Sequence, residues 1–259
     1  MICAKRASSQ LVAANETEEE SYVRIAPLSA IALIASLYFA APAAAEYETI
    51  AVTDGGAIKG KVIFKGTVPT KTVLPTKDKE TCGGPRKDPL VVVGPGGEVK
   101  DAVVYLKEIA KGKDWVKTAK KPEITNHKCN FEPHVQVIPT GMIDVVNADP
   151  VLHNTHGYYG TSTAFNLALP IQGGRVTKPL RRPGLVRVDC DAHGWMEGWI
   201  YVVDNPYFAI TAADGTFSIP DVPPGNYTLV VWQEHAGASE MPVTVKAKDT
   251  VQVPIELKK

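Results

Sequence analysis

Cysteine, histidine and methionine recur at intervals of three in Cys190-Asp-Ala-His193-Gly-Trp-Met196. Two imidazoles, one thiolate and a weak axial thioether make the donor set of a type 1 copper site. The segment lacks one of those imidazoles. His153, in Asn147-Ala-Asp-Pro-Val-Leu-His153-Asn154-Thr-His156, is the best candidate to supply it. A lone cysteine or methionine is usually core and a lone histidine is usually structural. The combination of all four is what points to a metal. Four protein donors leave no open position for a substrate, so the implied chemistry is one-electron exchange and the chain is read as a non-enzyme. A binuclear copper centre would need a second cysteine in the loop, and Cys190 stands alone there.

Convergence of the three side chains needs a loop, because a strand would alternate them across two faces. The neighbouring segments Leu185–Asp189 and Trp199–Val203 read as strands, and His153 also follows a strand-like run, Ile143–Asn147, so all four donors can sit at one end of a sandwich. Short Val/Ile/Tyr-rich runs punctuated by 21 glycines and 20 prolines give the whole chain an all-β texture. Further strands are expected at Ala57–Phe64, Phe131–Ile138, Phe165–Leu169, Arg175–Leu180, Phe217–Ile219 and Tyr227–Trp232. Leu90–Val93 and Ala102–Leu106 read as a hairpin about Gly94-Pro95-Gly96-Gly97. The polar stretches Thr67–Pro89 and Lys111–Pro122 read as loop and solvated connection. No segment carries a sustained helical period.

The 28 basic residues balance the 28 acidic ones, which argues against nucleic acid or an anionic membrane surface as partner. Residues 1–45 read as a signal peptide. Pro27–Ala41 is apolar, Ala43-Ala44-Ala45 supplies a small-residue cleavage site, and the mature chain would begin at Glu46. The protein is therefore expected in the periplasm or otherwise exported, with no membrane span after cleavage. An uncleaved anchor is the alternative. In an oxidising compartment the three remaining cysteines imply one pair and one thiol with another task, so Cys82 and Cys129 are expected as a disulfide and Cys190 as the free donor. His127 and His134 flank Cys129 and could form a second metal site, but a structural role is the expected one.

The His-Asn-x-His segment at 153–156 and the Cys-x₂-His-x₂-Met loop followed by a strand resemble the cupredoxins, in particular the amicyanin-like ones, over about residues 117–204. The resemblance implies a Greek-key β-sandwich with one type 1 copper. His153, Cys190 and His193 would be equatorial ligands and Met196 the axial one. Asn154 would tie the two ligand loops together, and His156 would not be a ligand. Electrons would leave through the edge of His193, ringed by Trp195, Val151 and Leu152, toward a redox partner such as a dehydrogenase, a c-type cytochrome or an oxidase. Ala192 and Gly194 stand where that family has prolines.

The segment Asp214-Gly-Thr-Phe217 through Pro223-Pro-Gly225-Asn-Tyr227 resembles the carboxypeptidase-regulatory-like β-sandwich, whose opening strands would come from Ala57–Phe64 and Ala102–Leu106. The expected organisation is thus a sandwich over 117–204 inserted between two parts, 46–116 and 205–259, of a smaller second sandwich, the alternative being an irregular N-terminal extension plus a small C-terminal domain. Copper delivery or storage by the same residues, and a purely structural β-sandwich, are the competing readings.

Overall fold

A computed structural model describes residues 47–117 and 120–258, so the expected leader and its cleavage site lie outside the described residues. The chain opens with β1 (Glu48–Thr49) and β2 (Gly56–Phe64). An excursion follows: β3 (Thr70–Val73), the single turn α1 (Lys79–Cys82) and β4 (Arg86–Pro89), with β3 and β4 paired antiparallel. The expected loop at Thr67–Pro89 is thus partly ordered by its own strand pair. β5 (Val103–Lys107) and β6 (Lys111–Gly112) come next, and β6 pairs with β1, so the expected solvated connection begins as a short strand.

Nine described strands then run without interruption by helix: β7 (Glu123–His127), β8 (Asn130–Glu132), β9 (Val135–Pro139), β10 (Gly141–Asn147), β11 (His153–Tyr159), β12 (Ser162–Leu169), β13 (Arg175–Leu180), β14 (Gly184–Cys190) and β15 (Glu197–Val203). The final strands are β16 (Phe208–Ile210), β17 (Thr216–Val222), β18 (Gly225–Gln233), β19 (Gly237–Val245) and β20 (Thr250–Leu257). The all-β expectation holds.

Two sandwiches result. The first packs the sheet β13-β10-β7-β8 on the sheet β12-β11-β14-β15-β9, around residues such as Ile124, Ile143, Val188 and Ile200. Its strands obey the period of two: in β12, Phe165, Leu167 and Leu169 are buried while Asn166 and Ala168 face out. The second packs β16-β5-β18-β19 on β17-β2-β20, around Ile58, Leu106, Phe217 and Leu229. Here β2 is central, antiparallel to β17 and parallel to β20. Gly60 on β2 admits no side chain, because the Val253 carbonyl and the Phe217 ring occupy the space a Cβ would need.

Two strand expectations are corrected. Phe131–Ile138 is not one strand: it breaks after Glu132 at Pro133, so that β8 joins one sheet and β9 the other. Proline has no N–H for a ladder, which makes it a natural place to change sheets. The expected hairpin has a different second arm. The chain does reverse about Gly94–Gly97, but Val92–Gly94 returns onto Glu98–Lys100, whereas β5 pairs with β16 and β18.

The two sandwiches meet face to face. In β18, Leu229 and Val231 point into the second core, while Trp232 turns the other way and joins Val103 and Val135 in a separate cluster with Trp199 and Tyr201. Trp199 and Trp232 meet edge-on at 5.3 Å, a contact worth about 0.5–1.5 kcal/mol beyond burial. Polar groups complete the contact. The Tyr201 hydroxyl donates to that of Tyr105 at 2.7 Å, and Glu234 Oε2 accepts from Trp199 Nε1 at 2.7 Å and from His134 Nε2 at 2.8 Å. His134 therefore serves structure, as expected.

Burial presses His134 toward its neutral form, but the hydrogen bond to Glu234 and its charge overcome this and raise the pKa above 6.5. Glu234 is also opposed by burial, yet His134 and Trp199 bring its pKa below 4.5. Lys71 and Glu197 lie near enough to act in opposite senses on His134. A raised imidazole pKa stabilises the fold below its unfolded value and fades as pH rises through the folded one. A lowered carboxylate pKa stabilises above its unfolded value and fades as pH falls through the folded one. Both contributions coexist between about pH 4.5 and 6.5. Thermal unfolding of Glu234→Gln, which keeps an acceptor but loses the charge, is expected to fall furthest below wild type in that window, with the gap narrowing by pH 8. An equal gap at both pH values would remove the ion pair from the account.

Candidate metal centre

Two turns set the spacing of the 190–196 loop between β14 and β15. The His193 N–H donates to the Cys190 carbonyl at 3.0 Å, and the Met196 N–H donates to the His193 carbonyl at 2.9 Å. Successive bonds of this kind stack residues three apart on one side. Cys190, His193 and Met196 are accordingly all buried, and Met196 packs into the first core beside Cys190.

β11 lies antiparallel to β14 with Thr155 opposite Cys190, which brings His153 at its start beside the loop. The approach to His153 is also fixed. The Asn147 side chain donates to the Val151 and Leu169 carbonyls and accepts the Asp149 N–H. Asp149, 3% exposed, then accepts from the N–H groups of Lys128 (2.7 Å) and Cys129 (2.9 Å) and from His153 Nε2 (2.8 Å).

The donor atoms meet at one point. His153 Nδ1 and His193 Nδ1 lie 3.1 Å apart, and each is 3.7 Å from Cys190 Sγ. Both other ring nitrogens face carboxylates, His153 Nε2 toward Asp149 and His193 Nε2 toward Asp78 Oδ2 at 2.9 Å. An ionised carboxylate only accepts, so each ring holds its proton on Nε2 and turns an Nδ1 lone pair inward. Two lone pairs facing each other at 3.1 Å beside a thiol repel unless a cation lies between them. The triangle is the right size for one. Metal–nitrogen bonds of about 2.0 Å and metal–sulfur bonds of about 2.3 Å put neighbouring donors roughly 3–4 Å apart. The residues present therefore fit a copper ion of the kind the donor set implies.

The electrostatics divide. Burial pushes the Cys190 thiol up, away from the thiolate a metal needs, opposed by N–H groups of Asn154, Ala192 and His193 that favour the anion. Burial lowers His153 despite the pull of Asp149, keeping that ring neutral, as a ligand must be.

Cys82 and Cys129 form a disulfide, and their sulfurs lie within 4.8 Å of a ring nitrogen of His193. Asn154 does bridge the two ligand segments, but through its main chain: its N–H donates to Cys190 Sγ at 3.4 Å and its carbonyl accepts from Asp191 at 3.1 Å. Its side-chain Oδ1 is buried without a partner. Leu152 is exposed and Val151 and Trp195 are half-buried, but the His193 ring they were expected to surround is fully buried. His156 is held by Asp191, Tyr158 and Thr163, away from the donor triangle. His127 pairs with Glu132 and, like His134, belongs to no cluster of metal donors among the described residues.

Asp149 and Asp78 were missed by sequence reasoning. The signal for Asp149 was local, an acid four residues before His153 in a segment opened by Asn147. Asp78 gave none, being 115 residues from His193.

Comparison with known proteins gives partial likenesses. Residues 192–253 match the family described as polysaccharide lyase family 4, domain II, and not the carboxypeptidase-regulatory-like family expected there. No curated protein matches. Among solved structures, a purple cupredoxin from Nitrosopumilus maritimus is similar at 23% identity and a TM-score of 0.29, covering 32% of this chain and 100% of that one. Amicyanin from Paracoccus versutus is similar at 16% identity and a TM-score of 0.29, covering 34% and 85%. A copper-containing nitrite reductase from Thermus scotoductus SA-01 is similar at 20% identity and a TM-score of 0.29, covering 35% of this chain. The chain spans a quarter of that reductase.

Proposed function

We propose that this protein is an exported one-electron carrier with a single type 1 copper held by His153, Cys190 and His193 and, more weakly, by Met196. The observation that carries the reading is the inward triangle of two Nδ1 atoms and one sulfur, with both Nε2 atoms committed to carboxylates. Bound copper supplies a one-electron couple. The chain's own residues hold the donors in one geometry, exclude water and fix both imidazole tautomers, so little rearrangement accompanies a change of charge. Asn154 joins the two ligand segments.

In this reading the sandwich over 117–204 is the redox unit, inserted into a second sandwich from 46–116 and 205–259 that serves as scaffold. The partner would be another redox protein, such as a dehydrogenase, a c-type cytochrome or an oxidase. No described helix is long and apolar enough to cross a membrane. The test is the absorption spectrum of the copper-loaded protein. An intense visible thiolate-to-copper band that disappears reversibly on reduction is expected. A protein that retains only Cu(I) and never colours would point to copper delivery instead.

A further inference from the structure

Asp78 precedes α1 in a left-handed backbone conformation, with φ 52° and ψ 36°. An aspartate there would ordinarily turn its carboxylate onto the first-turn N–H groups of the helix. Here it makes no such bond. The carboxylate instead reaches His193 Nε2 at 2.9 Å. Cys82, at the end of the same turn, is bonded to Cys129, whose N–H shares Asp149 with His153. The turn carrying Asp78 is thus anchored covalently to Cys129, which in turn hydrogen-bonds Asp149, the acid that orients the other imidazole. The Asp78 side chain is 37% exposed, while the His193 ring behind it is fully covered.

We propose that Asp78 is a positioning residue for the metal centre. It locks His193 with Nε2 protonated and Nδ1 turned inward, and its negative charge, acting through the imidazole, favours Cu(II) over Cu(I). The second part rests on the copper reading above; the first does not. A carboxylate behind a ligand imidazole raises that ligand's basicity, and a fixed negative charge stabilises the more highly charged ion.

The test uses the full chain. In Asp78→Asn the amide oxygen can still accept from Nε2, but the charge is gone. Its copper-loaded form is expected to keep the visible band. The ratio of its Cu(II) to Cu(I) affinities should fall about tenfold, which is a rise of about 59 mV for a one-electron couple. Asp78→Glu should restore most of the wild-type potential. In the metal-free protein, nitrogen-15 NMR should find the His193 proton on Nε2 in wild type and a mixture of tautomers in Asp78→Ala. Unchanged potentials in both Asp78→Asn and Asp78→Ala would overturn the charge effect, and a wild-type His193 protonated on Nδ1 would overturn the positioning role. If wild-type protein binds copper without a visible band, the type 1 reading fails, while the tautomer measurement still decides the role of Asp78.

Discussion

Cys190→Ser is expected to give a folded protein with no intense visible band and greatly weakened copper binding. Serine is nearly the size of cysteine, and the Asn154 N–H that donates to Sγ can donate to a hydroxyl, so the loop has no reason to collapse. The hydroxyl cannot ionise in a site where burial already pushes even a thiol upward, and so the anionic donor is lost. Losing an outer partner of a metal ligand typically costs 10–100-fold in affinity; losing the thiolate itself should cost more than roughly that. Copper titration followed by absorbance and a chelator competition measures both effects. A variant that remains blue with wild-type affinity would sink the ligand assignment.

The second large effect concerns residues 207–259 taken alone, which should be unfolded or aggregated. β17 and β20 do not touch as neighbours in their sheet; each pairs with β2, which the fragment lacks. β18 keeps β19 but loses β5 along Thr228–Trp232. Leu229 and Val231 would lose the Ile58, Val62 and Leu106 that share their core, and the open edge invites pairing between chains. A fragment of this length has little core to offset the ordering of its chain. Circular dichroism during heating should show no cooperative transition. A sharp, reversible one would mean that these strands close a core without the N-terminal part.

The site was legible in proportion to how local it is. Cys190, His193 and Met196 could be grouped because each step of three is one tight turn, and the disulfide followed from counting thiols in a chain expected to be exported. His153 could be nominated because it follows the strand-like run Ile143–Asn147 and opens the His-Asn-x-His segment, although the strand it begins, β11, was not itself expected. The Asp78 contact had no sequence signal, since nothing in Thr76-Lys-Asp78-Lys distinguishes an acid that reaches across the fold from one in solvent. The strand errors have the same origin. Phe131–Ile138 alternates well enough for one strand, and only the three-dimensional arrangement shows Pro133 as the place where the chain changes sheet. Leu90–Val93 and Ala102–Leu106 looked like neighbours because they are close in sequence, yet the neighbours of β5 come from beyond residue 205.

The parallel pairing of β2 with β20 joins nearly the first described strand to the last. A ribosome therefore finishes β2 long before its C-terminal partner exists. All partners of β7 through β15 lie within 123–203, so that sandwich can close while the chain is still being made. Contacts so distant in sequence are slow to form, and an unpaired strand is an aggregation risk while it waits. A chain lacking β20 would keep the donor triangle and leave the β2 edge unsealed. Losing β20 should therefore cost solubility before it costs metal.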